Sequence, residues 1–165
     1  MAEKDLNELF LDTLKDIYYA EKQILKALPK MAKAANSDKL RSAFEKHHDE
    51  TEGHVERLEQ IFELLGKAAR GKKCKAMEGL IEEGKEMMQE DMEPEVMDAA
   101  LIAAAQRIEH YEIAGYGTVR TYAQLLDEQN QAKLLQQTLD EEGEADKKLT
   151  QLAESMINVE AAVEA

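Results

Sequence analysis

Apolar residues recur with the period of an α-helix along four long segments of this 165-residue chain. In each segment, apolar positions three and four residues apart fall on one helical face. The segments cover, approximately, residues 5–35, 38–65, 94–127 and 130–159. Asp5 and Glu8 form a capping-box pattern, and Ser37 is a favourable N-cap residue. Gly66 is typical of a helix end and Pro94 of a first helical position, so the pattern predicts four long helices.

The connections between these segments differ in length. Two of them are tight turns, whereas about 28 residues separate the second segment from the third. Residues 76–90 within this long connection show a short helical pattern of their own. Short, long and short connections are typical of a four-helix bundle with one long crossover. We therefore predict an all-α fold, a four-helix bundle whose long crossover carries a short extra helix, formed as a single domain over residues 1–165.

Acidic side chains interrupt the apolar faces of three predicted helices. Glu21 lies in line with apolar residues on the first helix, and Glu112 holds the corresponding place on the third. Glu142 lies near the centre of the apolar face of the fourth helix, and Asp146 follows one turn later. A carboxylate that is buried without a partner is costly, so each of these acids requires one.

Polar residues also follow the apolar face of the second helix. His47, Thr51 and His54 share that face, whereas Glu50 lies toward its edge, roughly 80° from the centre at 100° per residue. Taken alone, His54 is either a ligand or a hydrogen-bonded core residue. His47 is predicted to be structural.

Four of the acids are predicted to lie at one depth in the bundle. Glu21 and Glu112 each precede a tight turn by about 15 residues, and Glu50 and Glu142 each follow one by about 14. Antiparallel neighbours rise equally from a shared turn, so the four carboxylates should meet at one level. Their repulsion in a low dielectric is severe without cations. Two divalent ions per chain would neutralise them, and carboxylates with imidazole suit iron or manganese, with zinc as an alternative.

Each of these residues has a simpler interpretation when it is considered by itself. Glu21 or Glu112 alone is more often exposed or paired with Lys or Arg, although the apolar faces hold no such basic residue. Glu109 faces away from the third apolar face and is predicted to be solvated. A twist in the bundle is the route by which Glu109 would become a ligand instead.

Composition and charge narrow the classes of function. The chain has 35 acidic and 21 basic residues, which gives a net charge of −14 at pH 7. This charge attracts cations and repels nucleic acids and anionic membranes, so neither of the latter is expected as a partner. No apolar run approaches the roughly 18 residues of a membrane span, and no signal peptide pattern precedes the first helix. The single cysteine, Cys74, forms no internal disulfide, which favours a reducing cytoplasm.

Four stretches carry a resemblance to a known family. They are LKDIYYAEKQILKALPKMAKAA, HHDETEGHVERLEQIFELLG, RIEHYEIAGYGTVRTYA and LDEEGEADKKLTQLA. Over nearly its whole length the chain resembles the ferritin-like, rubrerythrin-related bundle proteins of the YciE/YciF type. The resemblance implies a ferritin-like fold and a stress-associated cytoplasmic protein that forms a homodimer. It also implies a di-metal carboxylate centre, with one acid from each of two helices and an acid–histidine pair from each of the others.

Carried over onto this sequence, the resemblance implies metal ligands on all four long helices. The single acids are Glu21 and Glu112, and the two pairs are Glu50 with His54 and Glu142 with Asp146. The sequence departs from the family pattern at two points. Residue 53 is glycine, which leaves no Glu-x-x-His spacing, and Asp146 stands where the pattern has histidine. A weak internal repeat with an offset of 91 residues favours Glu141 over Glu142 as the ligand.

Two functions of different classes follow from these observations. The first is iron-dependent redox chemistry on O₂ or peroxide at a di-metal carboxylate centre. The second is a non-enzymatic helical stress protein that acts by self-association, with a vestigial, metal-free centre whose carboxyl groups are protonated or hydrogen-bonded. A DNA-protecting relative of ferritin is disfavoured by the net charge of −14.

Overall fold

The four long helices and the short crossover helix form as the sequence predicts. A computed structural model describes residues 3–163, so the first two and last two residues of the predicted domain lie outside the described part. The helices are α1 (Leu6–Ala34), α2 (Asp38–Leu64), α3 (Lys75–Met87), α4 (Pro94–Leu125), α5 (Gln129–Leu152) and α6 (Asn158–Val163), with a π-helical turn at Ala153–Ile157. Among these described helices, none combines the length and the apolar character needed to cross a bilayer. The prediction of an all-α bundle with a helix in its long crossover is confirmed.

Local chemistry sets the limits of the helices. The carboxylate of Asp5 accepts the N–H of Glu8 at 2.9 Å and the carboxylate of Glu8 accepts the N–H of Asp5 at 3.1 Å, which completes the predicted capping box. Gly66 has a φ of +65°, the left-handed conformation in which the chain leaves α2. The last predicted helix is interrupted, because α5 ends at Leu152 and the π-helical turn follows.

The long helices pack as two antiparallel pairs. α1 packs against α2 and α4 against α5, and the pairs meet through contacts of α1 with α4 and of α2 with α5. α3 lies across α1 and α4, and α6 returns to α4. The turn between α1 and α2 is fixed by Asp98 of α4, whose carboxylate accepts the backbone N–H of Asn36 at 2.7 Å and of Ser37 at 2.8 Å.

A polar layer divides the hydrophobic core into two apolar clusters. One cluster includes Leu28, Leu40, Leu101 and Leu149, and the other includes Leu14, Leu58, Val119 and Leu135. Each long helix passes from one cluster to the other, and at the crossing point it carries buried polar side chains. These side chains are Glu21 on α1, His47, Thr51 and His54 on α2, Glu109 and Glu112 on α4, and Thr138 and Glu142 on α5. The fold therefore holds these groups at one level, with apolar packing on both sides of them.

Candidate metal centre

One group of converging ligand atoms belongs to Glu21, His54 and Glu142, which come from three different helices. His54 Nδ1 lies 3.0 Å from Glu142 Oε1 and 3.4 Å from Glu21 Oε1. Glu21 and His54 are completely buried and Glu142 is 1% exposed. Tyr116, also fully buried, donates its O–H to Glu21 Oε1 at 2.6 Å. We refer to these three ligand residues as the inner group.

A second group shares Glu142 with the first and adds His47 and Glu109. His47 Nε2 lies 2.8 Å from Glu109 Oε1 and 3.7 Å from Glu142 Oε2. Glu142 therefore presents one oxygen to each group and lies between them. We refer to His47, Glu109 and Glu142 as the outer group, because its histidine side chain is 10% exposed.

Seven ligand atoms of the polar layer have no hydrogen-bond partner among residues 3–163. They are Glu21 Oε2, His54 Nδ1, Glu109 Oε2, and both carboxylate oxygens of Glu112 and of Glu142. Buried polar atoms without partners are rare in folded proteins, because each costs about 1–3 kcal/mol. Ionised carboxylate oxygens only accept hydrogen bonds, so the six carboxylate oxygens of this set cannot satisfy one another without protons. The layer therefore requires cations or protons.

The pKa values of the layer reflect the same requirement. Burial raises the pKa of Glu112 well above its ordinary 4.5, and the charges of Glu21 and Glu142 raise it further. Burial also raises the pKa of Glu142. For His54, burial alone would lower the pKa, but its contacts with Glu142 and Glu21 outweigh burial and raise the pKa to about 10. In the absence of metal, the layer therefore retains protons at sites that a metal ion would occupy.

Two residues behind His54 fix the orientation of its ring. His54 Nε2 lies 2.9 Å from Glu141 Oε2. Arg57 donates from its two terminal nitrogens to the two oxygens of Glu141, each at 2.7 Å. Because a carboxylate held by arginine is an acceptor, Nε2 is the nitrogen that donates to it. His54 Nδ1 therefore faces Glu21 and Glu142, where it can hold a proton or a metal ion, and a carboxylate behind the ring is usual for a metal-binding histidine.

The structure brings four of the six predicted ligands into the buried layer. These are Glu21, His54, Glu112 and Glu142. Glu50 remains outside it with its side chain 29% exposed, between Lys46 Nζ at 3.2 Å and His47 Nδ1 at 3.4 Å. Asp146 also remains outside, 3.2 Å from both Gln106 Nε2 and His110 Nε2.

The layer also contains Glu109 and His47, which are not among the six predicted ligands. The expectation that Glu109 faces solvent is wrong, because the residue is 3% exposed and contacts His47. The sequence signal that identifies Glu109 as buried is a seven-residue repeat of positions on α4, formed by Ile102, Glu109, Tyr116 and Ala123. Small residues surround these positions and weaken the contrast between faces, so the buried face is wider than the predicted one and includes Glu109 as well as Glu112. A spacing of seven likewise places His47 on the same face of α2 as His54.

Comparison with known proteins places this architecture in a family. A family described as a domain of unknown function, DUF892, matches residues 5–162. Protein YciF of Escherichia coli (strain K12) is 48% identical over 162 residues, which cover 98% of each chain. The resemblance to proteins of the YciE/YciF type is thereby confirmed.

Solved structures show the same fold. The crystal structure of the E. coli stress protein YciF matches with a TM-score of 0.90 and 48% identity, over 94% of this chain and 99% of that one. The structure of YcfI from Rhodopseudomonas palustris matches with a TM-score of 0.87 and 43% identity, over 88% of this chain and 93% of that one.

Proposed function

The chain belongs to the DUF892 family as a homologue of the stress protein YciF, and we propose that it binds two divalent metal ions, iron or manganese, in the polar layer of its bundle. The observation that carries this proposal is the set of seven buried ligand atoms that lack hydrogen-bond partners within residues 3–163. These atoms belong to carboxylate and imidazole side chains that come from all four long helices.

The balance of charge supports two ions rather than one. The layer holds four buried carboxylates, which belong to Glu21, Glu109, Glu112 and Glu142. Two divalent cations would balance these four negative charges and leave both histidines neutral, the form in which imidazole binds metal. Carboxylate and imidazole ligands together suit iron and manganese. Glu142, with one oxygen toward each group, is the residue that both ions would share.

We infer a redox function for this site. If the ions are iron, they supply the electrons with which O₂ or peroxide is reduced. The residues of the chain bind the ions, orient the ligand side chains and exclude water from the site. Tyr116 holds Glu21 through its O–H, and Glu141 with Arg57 holds the ring of His54. The apolar clusters on both sides of the layer limit access of water to it.

Metal analysis of the full chain, purified without chelator and reconstituted anaerobically with Fe²⁺ or Mn²⁺, tests the binding proposal. We expect about two ions per chain. Glu142→Gln should lose both, because the two groups share this residue. Asp146→Asn is the matched control and should keep both, because Asp146 lies outside the layer. A wild-type chain that retains no ion after reconstitution would overturn the proposal.

Consumption of O₂ or hydrogen peroxide by the iron-loaded chain tests the redox proposal separately. Turnover that disappears in Glu142→Gln and persists in Asp146→Asn supports it. A chain that binds two ions but consumes neither oxidant is a metal-binding protein without this activity.

A second candidate function rests on the contacts between histidines and carboxylates in the layer. His47 lies 2.8 Å from Glu109, and His54 lies 3.0 Å from Glu142. Through these contacts, protons alone can balance part of the negative charge of the layer. The second candidate is therefore a non-enzymatic, self-associating stress protein whose centre holds no metal. The melting temperature of such a protein would not respond to Fe²⁺ or Mn²⁺, and sedimentation would show the homodimer that the family resemblance implies.

A further inference from the structure

A cleft of about 350 Å³ leads from the surface to one side of the polar layer. Side chains from α1, α2, α4 and α5 line it. His47 and Glu109, the buried members of its wall that belong to the outer group, lie at its inner end. Lys46, Glu50 and Lys148 are more exposed and lie toward its mouth.

The cleft reaches only one of the two groups. Neither Glu21 nor His54 lines it, and both are completely buried. His54 is closed off from behind by Glu141 and Arg57, and Glu21 is covered by the O–H of Tyr116. A cation that comes from solvent through this cleft therefore meets the outer group before the inner one.

Glu50 occupies the position between the cleft and the outer group. Its Oε2 lies 3.4 Å from His47 Nδ1, and the other ring nitrogen of His47 contacts Glu109 at 2.8 Å. One imidazole thus separates Glu50 from a buried ligand. The side chain of Glu50 is 29% exposed and its second oxygen lies 3.2 Å from Lys46, a residue that is itself exposed. Glu50 is therefore an ionic ligand that solvent can reach, held by one long contact to His47 and by a flexible lysine.

The size of the cleft suits a hydrated metal ion. A divalent cation with about six waters, at roughly 30 Å³ for each water, occupies about half of this volume. Two of the three lysines of the cleft have acidic partners, Lys46 in Glu50 and Lys147 in Glu144, and the carboxylate of Glu109 lies at its inner end, so the cleft does not suit an anion. The field of the whole chain, with its net charge of −14, draws cations toward it.

We propose that metal ions reach the polar layer through this cleft, that Glu50 is the transfer ligand that first binds them, and that the outer group fills before the inner group. This inference rests on the proposed function, since it requires that the layer bind metal. It assigns to Glu50 a role in the rate of uptake and not a place in the final ligand set. Lys46 opposes that role, because it competes with the incoming cation for the carboxylate of Glu50.

Stopped-flow uptake of Co²⁺ by the EDTA-treated full chain, followed by the visible absorption of bound Co²⁺, tests the proposal. Glu50→Gln should slow uptake by roughly tenfold, the lower end of what a well-placed charge adds to an association rate. The final stoichiometry of this variant should equal that of the wild type. Lys46→Met should speed uptake. Asp146→Asn, a partly exposed acid outside the cleft, is the matched control and should load at the wild-type rate.

A further variant tests the order of filling. In Glu109→Gln the inner group is intact but the outer group lacks one ligand. Ordered filling predicts that the inner ion then binds more slowly than in the wild type, whereas an inner ion that binds at the wild-type rate would overturn the order.

The remaining outcomes separate this inference from the proposed function. Wild-type loading by Glu50→Gln would overturn the transfer role. A lower final stoichiometry in Glu50→Gln would make Glu50 a resident ligand and overturn it as well. A wild-type chain that takes up no Co²⁺, with a melting temperature that does not respond to the metal, would overturn the proposed function and this inference with it.

Discussion

Glutamine at position 112 is expected to stabilise the metal-free protein and to weaken its stabilisation by metal. Both carboxylate oxygens of Glu112 lack a hydrogen-bond partner within residues 3–163, and the residue is 1% exposed. Glu112→Gln keeps the shape of the side chain and removes its charge. The amide N–H of the new side chain can also donate to the neighbouring carboxylates of Glu21 and Glu142.

The direction in which the pKa of Glu112 is shifted gives the sign of the effect without metal. Burial, followed by the charges of Glu21 and Glu142, raises this pKa well above 4.5. The folded chain then binds more protons than the unfolded chain, so the free energy of unfolding falls as pH rises above the ordinary glutamate range. The loss is about 1.4 kcal/mol for each pH unit, or roughly 3 kcal/mol at most between pH 5 and pH 7. Glu112→Gln removes this loss, so the metal-free variant should gain roughly 1–3 kcal/mol at pH 7 and little at pH 5.

Metal reduces the advantage of the variant over the wild type. An ion present at 100 times its Kd, and bound only by the folded state, adds about 2.7 kcal/mol. For a chain of this length that corresponds to a rise in Tm of about 5–10 °C. A tenfold loss of affinity in Glu112→Gln would reduce the gain at the same metal concentration to about 1.4 kcal/mol. Scanning calorimetry at pH 5 and pH 7, with EDTA or with Mn²⁺, measures all four conditions.

Glu141→Gln is the control, because this carboxylate has partners in Arg57 and His54. Its replacement should destabilise the protein both with and without metal. The reasoning would be refuted if Glu112→Gln in EDTA were less stable than the wild type by the same amount at pH 5 and at pH 7. That result would show that Glu112 is not a buried carboxylate under repulsion.

Four further predictions concern other contacts. Arg57→Met should lower the affinity for Mn²⁺ by roughly 10–100-fold in calorimetric titrations, because Glu141 would no longer hold the ring of His54 firmly. Binding of Mn²⁺ should release at least about one proton per chain at pH 7, measured in buffers of different ionisation enthalpy, because the pKa of His54 is about 10 without metal. The same raised pKa stabilises the metal-free fold fully below pH 6.5, and this contribution should be lost as pH rises through about 10. Asp98→Asn should reduce the free energy of unfolding in urea by about 1–3 kcal/mol, equally with and without metal, because it weakens the acceptor for two backbone N–H groups.

The fold could be predicted because its signals are local or periodic. Asp5 with Glu8 and Gly66 mark helix ends through chemistry that does not depend on distant residues. The depth of the polar layer could be predicted as well, because a rise of 1.5 Å per residue from a tight turn requires only counting. Glu21, Glu112 and Glu142 meet for this reason.

The exact membership of the layer could not be predicted, because it depends on the rotation of each helix. On α4 the buried face is wider than the predicted one, because it includes Glu109 beside the predicted Glu112. The alanine-rich face of α4 gives little contrast by which to choose the rotation. Glu50 is included among the predicted ligands but lies outside the layer. Its height along the helix is correct, but its angular position, about 80° from the centre of the apolar face, leaves it at the mouth of the cleft.

The internal repeat explains why the site is not symmetric. An offset of 91 residues relates Glu50 to Glu141, and these two acids have matching surroundings, since each is about one third exposed and each contacts a histidine nitrogen. The same offset relates Glu142 to Thr51 and Glu109 to Tyr18, so the two central acids have no acidic counterpart in the first half. The repeat therefore predicts Glu141 as a ligand, whereas the structure places it behind His54.

The basic partners of these two related acids give them different freedom. Glu141 is held by two hydrogen bonds from the planar guanidinium of Arg57, which fixes both of its oxygens. Besides its 3.4 Å contact with His47, Glu50 has the single charge of Lys46, on a flexible side chain that solvent reaches. A rigid acid suits the orientation of a buried histidine, and a loosely held acid suits the capture and transfer of an ion. Of these two acids, Glu141 is thus a fixed support for His54, and Glu50 is a more loosely held acid on the side of the cleft.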